Sequence, residues 1–593
     1  MLLSRAITGL YKSALILGLG LVTPSCASDD MQAVPATAGG TVLLAVAPEG
    51  SQHKTGSPLD GESPSGHFLA AIFANHQQDL SAAAEFMMDA LASDPNNQEL
   101  LEEAFTLAIA DGRFPQAADL ARRFIEQDSG HELANLTLAV QAVEGGNLEA
   151  AEAALRRIPD SGLNTIVVPL MSGWMALAAG DPEAGLARLK PLQDASGFRV
   201  LHDLHAALMN DIVGRGAEAE AAFGSALEQV AEPSLRLTWL AGNFFARHGQ
   251  PQRAARIYDE FRRAKPDAAL MAVALDSLET AEQPAAEVAT AREGMAETLF
   301  NVASLLAQER ADVLALAHTH LALRLRPDFP VALILLGELM QGQDRSGDAI
   351  AAYRSVPENS SFHWLARLRI ADELERLERT AEAIAVLEDL AERRPGRYEP
   401  LFQLGNLLRA EERFSEAVEA YDRAVARLGE PRPSNWMLFY FRGIALERSK
   451  QWDRAEGNLL KALELEPEQP HVMNYLAYSW VEQKVHLERA KKMLHRAVEL
   501  RPRDGFIVDS LGWVFYRLGD YTEAVTYLEQ AVELRPQDPV LNDHLGDAYW
   551  KVGRRMEARF QWRRALSLKP EADLVPTIKA KIDRGLAAKP GNI

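Results

Sequence analysis

The stretch Ser510-Leu-Gly-Trp-Val-Phe-Tyr-Arg-Leu-Gly-Asp-Tyr-Thr-Glu-Ala524, followed by Leu528, Ala531 and Pro536, places two small residues, Gly512 and Ala524, on either side of a tight turn. Two helices joined by such a turn approach closely only where side chains are small, so Gly512 and Ala524 read as facing positions of a helical hairpin. Proline at 536 then ends the second helix, because it lacks the N–H and its ring clashes with the preceding turn.

Outward from this hairpin the second small residue recurs at Ala83, Ala117, Ala151, Gly185, Ala219, Ala254, Ala315, Ala349, Ala383, Ala417, Ala455, Ala490, Ala524 and Ala558. The usual step is 34 residues, with one step of 61 between Ala254 and Ala315. The first small residue precedes it at Ala71, Ala139, Gly173, Ala207, Gly242, Ala303, Gly337, Ala371, Gly405, Gly443, Ala477, Gly512 and Gly546, with Phe105 the exception. Prolines 95, 266, 327, 395, 467, 502, 536 and 570 close many of the units. A fixed period of this length marks a stacked repeat array, which also explains how 593 residues fold without one oversized core.

The unit at 510–536 resembles the tetratricopeptide consensus at nearly every diagnostic position, and the resemblance extends over about residues 64 to 572. It implies an all-α, right-handed α-solenoid of tandem hairpins. Strong helix formers dominate and aromatics make up only 7 % of the chain, in keeping with that class. The expected organisation is an export signal at 1–27, an Ala/Gly/Pro/Ser-rich tether at 28–63, a first sub-array at 64–268, an irregular hinge or degenerate hairpin at 269–295, a second sub-array at 296–572, and a capping helix and tail at 573–593.

The signal is read from Arg5 and Lys12, then the uncharged run Ala14–Val22, then small residues. Cys26 is the chain's single cysteine and stands where lipoprotein signals place the acylated thiol. Thr23-Pro24-Ser25 fits a lipobox poorly, and Ser25-Cys26-Ala27 also reads as an ordinary small-x-small cleavage site, so lipidation and simple secretion both remain open. The expected location is the periplasm, with attachment to the outer membrane through Cys26 if it is lipidated.

Little in the sequence suggests chemistry. The motifs G-x-x-x-x-G-K, H-E-x-x-H and G-x-S-x-G are absent. His202 and His205 share a helix face but lack a convincing third ligand, and His318 and His320 point different ways. The chain reads as a non-enzymatic scaffold with no cofactor and no metal. Its net charge of −21 disfavours nucleic acid. A basic cluster, Lys551, Arg554, Arg555, Arg559, Arg563 and Arg564, is either a solvated helix face or a contact for an acidic partner or anionic lipid.

The resemblance also implies where a partner binds, because in tetratricopeptide repeats the first helix of each hairpin lines the concave face. The residues so placed are Tyr440, Asn474, Tyr478, Asp509, Trp513, Tyr516, Arg517, Asp543, Asp547 and Trp550. Aromatics beside carboxylates suit an extended or helical peptide carrying basic residues. The carboxylate clamp of chaperone-binding members is not supported: Asn406 fits, but Phe402, Phe441 and His471 stand where Lys, Asn and Lys are required. Together with the export signal, the runs Ile507–Trp513 and Asn542–Gly553 resemble envelope-associated tetratricopeptide proteins of Gram-negative bacteria. That resemblance implies an adaptor for a protein or peptide partner, or else a docking component of an export machine or a regulatory subunit of a periplasmic hydrolase.

The address is testable by mass spectrometry of the mature N-terminus. Cleavage before Cys26 with acyl chains, or after Ala27 without them, is expected, and recovery of intact Met1 on most molecules would sink the export reading.

Overall fold

The computed structural model describes residues 63–586 apart from 196, 266–268 and 279–283. The expected signal, Cys26 and nearly all of the tether therefore lie outside the described residues. Within them all regular structure is helical.

The hairpin built around Gly512 and Ala524 consists of helices Gly505–Leu518 and Tyr521–Leu534. Asp504 starts the first by accepting the backbone N–H groups of Phe506 and Ile507 at 3.0 and 3.3 Å, satisfying donors that a helix start leaves free. Gly519, at φ +89°, supplies the left-handed turn that joins the two helices. A Cβ on Gly512 would lie 2.7 Å from Leu528 Cγ, whereas Ala524 is fully buried one turn earlier. The steric reason for the small residue is thus a correction to the expected one: glycine admits the large side chain four positions after the second small residue.

The same substitution of ring for void recurs along the array. Gly242 receives Tyr258, Gly337 receives Tyr353, Gly405 receives Tyr421 and Gly546 receives Trp562, each glycine leaving space that a Cβ would fill. At Gly173 and Gly185 the two small residues also meet backbone to backbone, with Gly185 O 3.0 Å from where a Cβ on Gly173 would stand.

Two compact units result, and they divide after Leu390, inside helix Thr380–Arg393. The stretch 269–295, expected as the joint, belongs wholly to the first unit; it carries helix Ala269–Leu278 and the beginning of helix Ala291–Gln308. That longer helix opens with a capping box, Thr290 accepting from Glu293 N–H while the Glu293 side chain accepts from Thr290 N–H. In the second unit helix Leu574–Arg584, in the expected capping region, packs on the preceding hairpin and buries Ile578.

The first unit departs from nearest-neighbour stacking. The hairpin of Ala291–Gln308 and Asp312–Leu325 packs back against helices Asn164–Ala178, Gln98–Ala110 and Glu132–Glu144, far earlier in the chain. Gly294 lies on the indole of Trp174, whose Nε1 donates to His205 Nδ1 at 3.0 Å, and Asn301 Nδ2 meets His205 Nε2 at 3.1 Å. His320 sits on Gly112, a residue at φ +75° whose missing Cβ makes the approach feasible. Arg324 pairs with Glu144 at 2.6 Å and lies over the Phe114 ring.

An ion pair holds this returning hairpin at its other end. Arg236, 3 % exposed, donates to both oxygens of Glu297, which is fully buried, at 3.0 Å from Nε and 2.7 Å from Nη2. Its Nη1 reaches Glu287 at 3.2 Å, and Glu287 also accepts from Trp239 Nε1 at 2.7 Å. Taking these charges out of water is unfavourable, so their bidentate geometry is what makes the arrangement tolerable. Glu297→Ala, which leaves the buried guanidinium with Glu287 alone, should lower stability of the first unit by about 3–5 kcal/mol. Denaturant unfolding followed by tryptophan fluorescence would show the early transition shifting; an unchanged profile would mean the pair contributes nothing net.

Candidate binding groove of the second unit

The residues expected to line a groove come from the first helices of four successive hairpins, Trp436–Arg448, Pro470–Gln483, Gly505–Leu518 and Pro539–Lys551. Four of the ten are buried and cannot act as open ligand anchors. Tyr440 packs among Trp436, Phe441 and Tyr475. Asp509, Trp513 and Asp547 are likewise buried.

Their partners explain the burial. The Trp513 ring is sandwiched between Tyr516 at 4.7 Å and His544 at 4.0 Å, both nearly parallel to it. Trp513 Nε1 donates to Glu482 at 2.6 Å, and Arg517 reaches the same carboxylate at 3.3 Å. His544 Nδ1 lies 2.9 Å from Asp509. Burial alone would lower the His544 pKa, but the Asp509 carboxylate, helped by Asp543 and Asp547, outweighs it and raises the value. When protonated, the imidazole stacked on the Trp513 indole gains a favourable cation–π contact.

The carboxylates expected to select a basic ligand are already engaged by the protein. Lys581, from the capping helix, donates to Asp543 at 2.6 Å and Asp547 at 2.9 Å, and Trp562 Nε1 donates to Asp547 at 2.9 Å. Burial opposes the charge on Lys581, yet the two carboxylates outweigh it and raise its pKa. Trp550 packs on Trp562 and lies against Gly585 and the Arg555 and Arg559 guanidinium groups. The acidic end of the expected groove is therefore filled by helix Leu574–Arg584 and Gly585.

Besides Asp543 and Trp550, engaged as above, the half-exposed residues of the expected set are Asn474, Tyr478, Tyr516 and Arg517. Among the described residues neither the Tyr478 nor the Tyr516 hydroxyl makes a hydrogen bond, and Asn474 Oδ1 is buried without a partner. Burial raises both phenol pKa values, so both hydroxyls stay protonated and able to donate. Sequence reasoning missed Glu482, His544 and Lys581. His544 is signalled only by its place beside Asp543, and Lys581 by nothing nearer than the basic face of the last helix.

Elsewhere the singled-out residues have structural contacts. Phe402 and Phe441 stack at 6.3 Å, and Asn406 accepts from the Tyr421 hydroxyl at 2.8 Å. His202 hydrogen-bonds Asp203 at 2.7 Å, whereas His205 is enclosed between Trp174 and Asn301, where burial lowers its pKa to about 3. His318 bonds the Leu314 carbonyl at 2.8 Å.

The Asp509–His544 pair has a pH signature. Because the folded imidazole binds its proton more tightly than the unfolded one, its stabilisation is present at low pH and lost as pH rises through the raised folded value. The apparent melting temperature of the second unit should therefore fall as pH rises above the ordinary imidazole value of about 6.5, and Asp509→Asn should flatten that slope. An unchanged slope in the variant would assign the dependence to other groups.

Three repeat models match parts of the chain: TPR repeat at 512–553 and tetratricopeptide repeat at 402–470 and at 108–167. A TPR repeat-containing protein of Pseudomonas aeruginosa is 28 % identical over 194 residues, which is 32 % of this chain and 32 % of that one, so the match spans about a third of the relative's length. Among solved structures, that of the APC/C hetero-tetramer Cut9-Hcn1 covers 89 % of this chain and 97 % of its own, at 15 % identity and a TM-score of 0.36. YrrB, a TPR protein with an unusual peptide-binding site, covers 32 % and 97 % at 21 % identity and a TM-score of 0.27. The matched segments include hairpins closed by the glycine contact, Gly405 with Tyr421 and Gly512 with Leu528, and the chain carries tetratricopeptide repeats at these positions.

Proposed function

We propose that the chain is a non-enzymatic adaptor of the bacterial cell envelope that holds a segment of a protein partner on the inner positions of helices Pro470–Gln483 and Gly505–Leu518. The observation that supports this most is a pair of half-exposed phenol rings on successive first helices, Tyr478 and Tyr516, whose hydroxyls make no hydrogen bond among the described residues. Rings of this kind offer apolar area at low entropic cost, while hydroxyl and amide groups suit the backbone of an extended peptide.

The chemistry differs from that expected of an acid-lined groove. With Asp509 facing His544 and Asp543 and Asp547 facing Lys581, no carboxylate of that expected set is left to choose a basic ligand. Backbone recognition plus aromatic contact is the better fit, Arg517 being already held on Glu482. The exported, tethered location rests on Arg5, Lys12, the apolar run and Cys26.

The test is chemical crosslinking in native membranes with the full chain. Tyr478→Ala with Tyr516→Ala should leave helicity in place and reduce partner recovery steeply, since interface aromatics contribute about 2 kcal/mol or more each. Tyr478→Phe with Tyr516→Phe keeps the rings and should lose only the hydroxyl share, about 1 kcal/mol per bond. Full recovery with the double Ala variant would place the partner elsewhere.

A further inference from the structure

The repeat register of the second unit contains its own controls. Two residues before and two after the second small residue, each hairpin presents an exposed pair on its outer face: Ser415 and Glu419, Asp453 and Gly457, Glu488 and Lys492, Thr522 and Thr526. In the final hairpin the same two positions are Met556, 85 % exposed, and Phe560, 62 % exposed. Val552, at the end of the preceding helix, is exposed as well. The capping helix does not cover them. It packs through Ile578, through Lys581 on Asp543 and Asp547, and through the Ile582 carbonyl, which accepts from Arg559 at 3.1 Å.

The basic cluster surrounds this strip, and the structure sorts its members. Arg554 is paired with Glu529 and Glu557, and Arg564 donates to the Pro536 carbonyl at 2.9 Å. Lys551 lies over the Tyr521 ring. Arg555, Arg563 and Lys569 project exposed, and Arg563 makes no ion pair or hydrogen bond among the described residues.

We propose that this outer face of the last hairpin docks on an anionic lipid surface, Met556 and Phe560 entering the boundary between headgroups and acyl chains while Arg555 and Arg563 meet lipid phosphates. Two apolar side chains one helical turn apart are far less than the roughly 800 Å² per partner of a stable protein interface. They are, with flanking guanidinium groups, what a surface-lying helix uses on a bilayer. A chain of net charge −21 is repelled by such a surface at long range, but screening confines that repulsion to about 8–10 Å. Close approach is then favourable only where a local cationic face leads. This surface shares no residue with Tyr478 and Tyr516, so the two proposals fail independently.

Cys26 is the chain's single cysteine, which allows a local probe. In full-length Cys26→Ser protein, a further Met556→Cys or Thr522→Cys carries an environment-sensitive NBD fluorophore. On vesicles of phosphatidylglycerol and phosphatidylcholine in equal parts, the label at 556 should brighten and shift to the blue, and the label at 522 should not. Pure phosphatidylcholine should give no response. Arg555→Ser with Arg563→Ser, or raised salt, should weaken the apparent affinity by about tenfold or more. No response at 556, or an equal response at 522, overturns the proposal. A response at 556 to polyglutamate with none to vesicles also overturns it and assigns the face to an acidic protein segment.

Discussion

Every glycine-closed hairpin in this protein depends on one steric condition: the first helix must lack a side chain where the second helix sends a large one. Gly512 against Leu528, Gly405 against Tyr421 and Gly546 against Trp562 are the same contact in three repeats. Where the incoming residue is aromatic, its polar end can find the residue after the glycine. The Tyr421 hydroxyl donates to Asn406, and Trp562 Nε1 donates to Asp547. A close-packed core thus also satisfies a buried polar group, which would otherwise carry the full desolvation cost.

Given that hairpin, stacking extends readily, and the second unit carries it simply to a capping helix. The first unit uses its later residues differently. Helices Ala291–Gln308 and Asp312–Leu325 return to the first helices of much earlier hairpins, where Trp174, His205, Asn301 and the Arg236–Glu297 pair make a buried polar and aromatic seam. Faces that a simple array would offer to a ligand are there covered by the chain itself. The second unit, by contrast, keeps Tyr478 and Tyr516 half-exposed, and the proposed partner site lies there.

Charge follows the same logic of internal satisfaction. The acidic residues expected to select a ligand are neutralised within the fold, Asp509 by His544 and the Asp543–Asp547 pair by Lys581. Most of the basic cluster is engaged in turn, leaving Arg555 and Arg563 to flank Met556 and Phe560. The surface left over is therefore neither the acidic groove nor the broad basic face that composition suggests.

Local order is legible in the amino-acid sequence itself. The 34-residue step, the glycines, the prolines and the turn residues report contacts within one hairpin, and those contacts are short-range, so their spacing is visible along the sequence. The all-helical class and the place of each hairpin follow from them. Tertiary structure alone decided which side chains are free. Whether Trp513 is a ligand anchor or a buried plate depends on His544, 31 residues later, and whether Asp543 is available depends on Lys581, 38 residues later. The return of Asn301 to His205 spans 96 residues. Contacts of that separation leave no period in the sequence, because each is made once, by residues whose meeting is set by the accumulated rotation of the hairpins between them.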